Sequence, residues 1–127
     1  MAARIKLKQL PGLYVISRLE AGDGIPAWAD GPGFVSITRT DDELSVVCLQ
    51  DRVPDSVRQD GEWVAIKLQG PFAFDETGIV LSVIRPLSEN GLGIFVVSTF
   101  DGDHLLVKAA DQEAARRLLG EAGHTLL

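Results

Sequence analysis

The chain has 127 residues, 46% of them apolar and 24% charged, with 12 basic and 18 acidic side chains and a net charge of −6. That length makes one ordinary domain or two small ones sharing a core, the apolar content excludes a disordered chain, and the acidic balance argues against a nucleic-acid partner. No apolar run is long enough to span a bilayer, and Met1 to Lys8 lacks a signal-peptide core, so a cytoplasmic protein with no membrane contact is expected.

The first half reads as strands. Leu13, Val15, Ser17 and Leu19 alternate with Tyr14, Ile16 and Arg18. Pro26 to Ala29 fits one helical turn, ended by Gly31-Pro32-Gly33. Phe34 to Thr38 and Leu44 to Leu49 are two short β runs joined by the polar turn Thr40-Asp41-Asp42-Glu43, which predicts a hairpin. Cys48, the only cysteine, sits among Val46, Val47 and Leu49 and reads as a buried strand thiol. One cysteine allows neither an intrachain disulfide nor a cysteine-based zinc site.

The second half changes rhythm. Trp63 to Leu68 is a strand that stops at Gly70-Pro71. A helix starting at Gly78 places Ile79, Val80, Val83, Ile84 and Leu87 on one face, with Pro86 as an irregularity in its last turn. Gly93 to Phe100 and the run after Asp103 form a second hairpin, with a two-residue turn expected at Asp101-Gly102. Asp111 is placed to cap a helix carrying Ala114, Ala115, Leu118, Leu119 and Ala122. Gly123 closes that helix, and His124 to Leu127 fits a final edge strand. The order β-α-β-β-α-β is the ferredoxin-like split motif. We therefore expect an α+β fold of two such modules, antiparallel sheets with helices on one face. The modules would span residues 1–60 and 61–127, divided in the polar stretch from Pro54 to Gly61.

The helix start at Gly78 has its own chemistry. Without a Cβ, Gly78 lets a ligand approach the backbone. The amides of Gly78, Ile79 and Val80 stand at the positive end of the helix dipole and suit a carboxylate. Asp103 or Glu76 suits an ammonium or guanidinium. The plainer alternative is a tight turn capped by Asp75 or Thr77. Ser98, Thr99 and His104 together resemble a nucleophile with its base, but no strained elbow, oxyanion loop or third member accompanies them, so no catalytic residue is assigned. One nearby histidine, no cysteine and no EF-hand spacing give no metal site and no cofactor. Trp28 and Trp63 read as core or interface anchors.

These residues resemble a known family, the ACT domain. The resemblance is nearest to short bacterial tandem-ACT proteins and to the ACT modules of the eukaryotic cytosolic arginine sensor. It rests on Phe74-Asp75-Glu76-Thr77-Gly78-Ile79-Val80, Pro86-Leu87, Ser98-Thr99-Phe100, Asp103-His104 with Leu106-Val107, and the upstream Ser36 to Ser45. It implies a ligand contacting Glu76, Thr77, Gly78, Ile79 and Val80, the hairpin at Phe100 and Asp103, and Gly93-Ile94 of a neighbouring module. Two departures stand out. Gly102 occupies the place of an aromatic wall, and two modules rather than four would take a homodimer to complete the arrangement. The expected function is a non-catalytic regulatory protein binding a free amino acid or similar metabolite. The alternatives are a structural adaptor that dimerises or docks to another protein without a ligand, and a small hydrolase or isomerase using His104 and a carboxylate.

Overall fold

The structure, a computed structural model, describes residues 4–70, 72 and 77–127. In chain order the elements are β1 (Lys6–Gln9), β2 (Tyr14–Leu19), β3 (Ser36–Arg39), β4 (Leu44–Leu49), β5 (Arg58–Leu68), α1 (Ile79–Ser88), β6 (Ile94–Ser98), β7 (Asp103–Lys108), α2 (Gln112–Glu121) and β8 (Thr125–Leu126). Single 3-10 turns lie at Ala27–Ala29, Gln50–Arg52 and Ala109–Asp111. The chain divides into two compact units, Pro11–Trp63, and Met1–Leu10 with Val64–Leu127. The expected division near residue 60 put the first ten residues with the first module. The structure pairs them inside the second unit, and much of the supposed linker is strand β5.

The Pro11–Trp63 unit is an antiparallel sheet in the order β3-β4-β2-β5. Alternate residues of β2 and β4 point to one face, where Val15, Val46 and Cys48 pack with Ala29 and Val53. Trp28, Val35 and Val57 close over them. Burial pushes the Cys48 thiol above its ordinary pKa, against the opposing pull of Arg52, so it stays an inert core thiol. Arg52 donates from Nε to the Trp28 carbonyl (3.1 Å) and from Nη1 to the Pro32 carbonyl (2.7 Å), tying down the loop after the first 3-10 turn. The Tyr14 hydroxyl, on a nearly fully buried side chain, accepts the Phe34 N–H at 2.9 Å. Among its described residues this unit has no α-helix. Gly22, Gly24, Pro26, Gly31, Pro32 and Gly33 interrupt the β2–β3 connection too often for more than a turn.

The second unit orders its strands β6-β7-β5-β1-β8. Strand β1 lies between β5 and β8, antiparallel to the first (Leu7 opposite Leu68) and parallel to the second (Lys6 opposite Thr125). Val64, Ile66 and Leu68 of β5 alternate onto one face with Leu7, Leu105 and Val107. Val83 and Leu87 of α1 and Ala115, Leu118 and Leu119 of α2 complete that core, so both helices cover the same face. The sheet with two helices is the expected α+β arrangement.

Three local expectations change. The β6–β7 connection spans four residues rather than two: Ser98 pairs with Asp103, and the Thr99 N–H and hydroxyl both donate to the Gly102 carbonyl, at 2.7 and 2.6 Å. Asp111 makes no side-chain cap to α2, because the 3-10 turn Ala109–Asp111 feeds directly into the helix. Pro86 sits inside α1, where it can give no N–H to the Ser82 carbonyl. Buried His124 supplies that donor, from Nε2 at 2.8 Å, while its Nδ1 accepts the Ile5 N–H at 3.0 Å. Those two bonds set the ring tautomer. The α2 terminus matches expectation: Gly123 is left-handed (φ 98°) and the His124 N–H returns to the Leu119 carbonyl at 3.1 Å. Among the described residues no helix is long and apolar enough to cross a membrane.

Candidate functional site

Helix α1 begins at Gly78, whose φ of 79° is the left-handed conformation that a side chain resists. A Cβ there would meet nothing within 4 Å. The glycine is therefore required by the backbone and not by crowding from the described residues. The helix's first turn of amides, Ile79 to Leu81, points out of this end by helix geometry.

That end faces the β6–β7 connection across a cleft of about 400 Å³. One wall is Gly78, Ile79, Val80 and Leu81; the other is Ser98, Thr99, Phe100, Gly102 and Asp103; Phe72 contributes a third side. Among the described lining residues Asp103 alone carries a charge. The Ser98 hydroxyl donates a hydrogen bond to Asp103 Oδ1. Phe100 is 79% exposed and Leu81 49%, so much of the apolar lining faces solvent.

Of the residues singled out from sequence, Gly78, Ile79, Val80, Phe100 and Asp103 line this cleft. Thr77 is exposed immediately before it, and Glu76 lies outside the described residues. Gly93 and Ile94 are at the opposite end of β6, with Ile94 packed on the core. Phe72 and Leu81 were missed. Leu81 had a signal, being one residue beyond Val80 in the same helical turn. Phe72 had none in its local pattern, because its place depends on the approach of Gly102, thirty residues further on.

His104 follows Asp103 in β7 and so points to the other face of the strand. It is not part of the cleft lining, and its strand partner is Val97. Burial, with Lys67 nearby, lowers its pKa, while Asp103 acts in the opposite sense. Ser98 and Thr99 therefore meet no histidine in the cleft. Among the described residues no group of three or more histidine, cysteine, aspartate or glutamate side chains is arranged to hold a metal ion.

Residues 59–121 match the ACT-domain family, and residues 12–56 match a separate N-terminal-domain family. The second unit, with its split β-α-β-β-α-β order and a cleft at the first helix start, is thus an ACT domain of ferredoxin-like fold. A protein of Agobacterium tumefaciens of known crystal structure is 71% identical, covers 99% of this chain and 94% of its own, and superposes with a TM-score of 0.96. The chain belongs to the same family as that Agobacterium protein. A Vibrio cholerae protein of unknown function, described as a possible transport protein, shares the fold at 17% identity (TM-score 0.75; 94% of this chain, 90% of that one). So does Clostridium acetobutylicum aspartate kinase, described as an allosteric enzyme, at 14% identity (TM-score 0.66; 96% of this chain, 35% of that one). No curated protein matches the chain.

Proposed function

We propose that the protein is a non-catalytic regulator that binds a free amino acid or a similar small zwitterion in the cleft at the start of α1. The observation that carries this reading is the meeting, inside an ACT domain, of a helix start and the hydrogen-bonded Asp103 carboxylate across a cleft. The amides of Ile79 to Leu81 suit the ligand carboxylate, and the Asp103 carboxylate suits its ammonium. On this reading Glu76 and Thr77 border the site. Gly93 and Ile94 would serve the cleft of a second copy in a homodimer. The strand order β3-β4-β2-β5 is also that of the ACT domain with β1 left out, which supports treating the first unit as a second ferredoxin-like module with its helices reduced to turns. An adaptor without a ligand is the other reading, favoured by the exposed Leu81, Val96 and Phe100.

The test is a thermal-shift screen of the purified protein against the twenty amino acids and common nucleotides. A ligand at a hundredfold excess over its dissociation constant stabilises the folded state by about 2.7 kcal/mol. A shift with an amino acid that disappears in Asp103→Ala, with the fold intact, supports the sensor. No shift with any compound at millimolar concentration sinks it in favour of the adaptor.

A further inference from the structure

We propose that the sheet face of the second unit, on the side away from its helices, docks an acidic segment of another protein through the lysines of this chain. All four lysines in the sequence, Lys6, Lys8, Lys67 and Lys108, lie on that one face. Strand alternation places them there. Leu7 of β1, Ile66 and Leu68 of β5, and Leu105 and Val107 of β7 point into the core under the helices, so their neighbours point away from it. Lys8 is the direct cross-strand partner of Lys67. His104 follows on β7, which pairs with β5, and burial and then the Lys67 charge lower its pKa, so the two lie close together. The other strand positions of this face are Ala65, Phe95, Val97, Leu106 and Thr125, and none is acidic.

Folding does not call for this arrangement. Like charges directly opposite on neighbouring strands repel, and solubility is served by scattered charge of both signs. The chain carries −6 overall, so its only lysines gather against the sign of the molecule. Lys6 and Lys8 are exposed, Lys67, His104 and Lys108 are half-buried, and Ala65 and Leu106 are fully buried. The accessible charge therefore runs along β1 and across to β5. Lys6 and Lys8 are two residues of strand rise apart, about 7 Å, which is also the spacing of alternate side chains on an extended acidic segment laid beside them. Lysine meets each carboxylate as a point charge. Nucleic acid is the poorer fit. No arginine stands at the strand positions of this face, its one aromatic residue, Phe95, is half-buried, and the molecule as a whole is acidic. None of these lysines lines the cleft at α1, so the surface is independent of the amino-acid reading.

Fluorescence anisotropy of a labelled peptide alternating glutamate and serine, titrated with the full chain, tests this, with a single-stranded oligonucleotide of similar length as the rival probe. The peptide should bind, and its affinity should fall about tenfold or more between about 50 and about 500 mM salt, as contacts between exposed charges do. Lys8→Gln combined with Lys67→Gln removes the adjoining pair and empties no core site, so this variant should fold. It should weaken the peptide about tenfold, the effect of losing two ion pairs. Arg85→Gln, on the exposed surface of α1, should leave the peptide affinity unchanged. Absence of binding at the lower salt overturns the proposal, as does equal weakening by Arg85→Gln, or an oligonucleotide that binds more tightly than the peptide. Self-association of the chain that the double variant abolishes also overturns it, and assigns the face to a second copy.

Discussion

Gly70 and Gly102 both adjoin the Phe72 ring, yet they differ in what they tolerate. A Cβ on Gly70 would come within 2.7 Å of the Asp101 carbonyl oxygen, which is backbone and cannot rotate away. On Gly102 the nearest atom is the Leu68 oxygen at 3.4 Å, ordinary contact. Gly70→Ala is therefore expected to destabilise the fold by about 1–3 kcal/mol, as overpacking does, and Gly102→Ala by well under 1 kcal/mol, as read by urea unfolding. Equal losses would mean that the Phe72 seat is not as rigid as described. His104 gives the residue-scale pH dependence. Burial favours its neutral form, so the folded state holds fewer protons than the unfolded chain below the ordinary value of 6.5. Its stabilising contribution is complete above 6.5 and declines as the pH falls from there through the lowered folded-state value. His104→Gln should flatten that part of a melting-temperature profile, and a slope identical to wild type there would refute the assignment. The sequence pointed to Gly78 and Asp103 because a helix start and a strand start are local patterns. It gave no sign of Phe72, whose role depends on backbone approach at residues about thirty apart, nor that His104 faces away from the cleft.

Helix α1 carries the site and also the flaw that its sequence advertises, Pro86. The expected consequence was a lost hydrogen bond; unforeseen was the replacement donor, a histidine 42 residues beyond Ser82 whose other nitrogen also satisfies the Ile5 amide. His124 thus joins α1 to the chain ahead of β1 through the Ser82 carbonyl and the Ile5 amide. Removing it leaves a carbonyl and an amide short of partners, each costing about 1–3 kcal/mol when buried. His124→Ala should accordingly lower stability by about 2–4 kcal/mol in chemical denaturation. The more telling measurement is the double mutant. Pro86→Ala restores the N–H that the Ser82 carbonyl lacks, so it should cost less, or even stabilise, when His124 is already alanine. A double-mutant cycle should show a coupling of about 1 kcal/mol, whereas strict additivity would show that His124 does not substitute for the missing helix donor. Periodicity made both helices legible, since Val83, Leu87, Ala115, Leu118 and Leu119 recur at helical spacing and are buried. Capping was less legible. Asp111 has the right residue type, but the preceding 3-10 turn already leads the chain into α2.

At the scale of the molecule, the second unit is completed by residues outside its family match. The ACT match begins at residue 59, yet β8 takes its ladder from β1, and Ile5 and Leu7 lie in the core, 5% and 0% exposed. A pairing such as Lys6 with Thr125 leaves no trace in hydrophobic period or turn chemistry, which report only on near neighbours. The sequence accordingly yielded the strand runs and the β-α-β-β-α-β order, but assigned the first ten residues to the other module. Energetics show why the difference matters. Burying Ile5 and Leu7 contributes about 1.5–3 kcal/mol each, against a total stability of about 5–15 kcal/mol for a typical domain. The loss of β1 would also leave β5 and β8 with unpaired edges. A fragment of residues 59–127, which contains the whole ACT match, should therefore lack a cooperative unfolding transition. In the full chain, Leu7→Ala should cost about 2–5 kcal/mol, the usual range for emptying a buried leucine site. If the fragment instead unfolds cooperatively at the stability of the intact protein, β1 is an accessory strand. In that case the ACT domain folds by itself, and its cleft can be studied without the first ten residues.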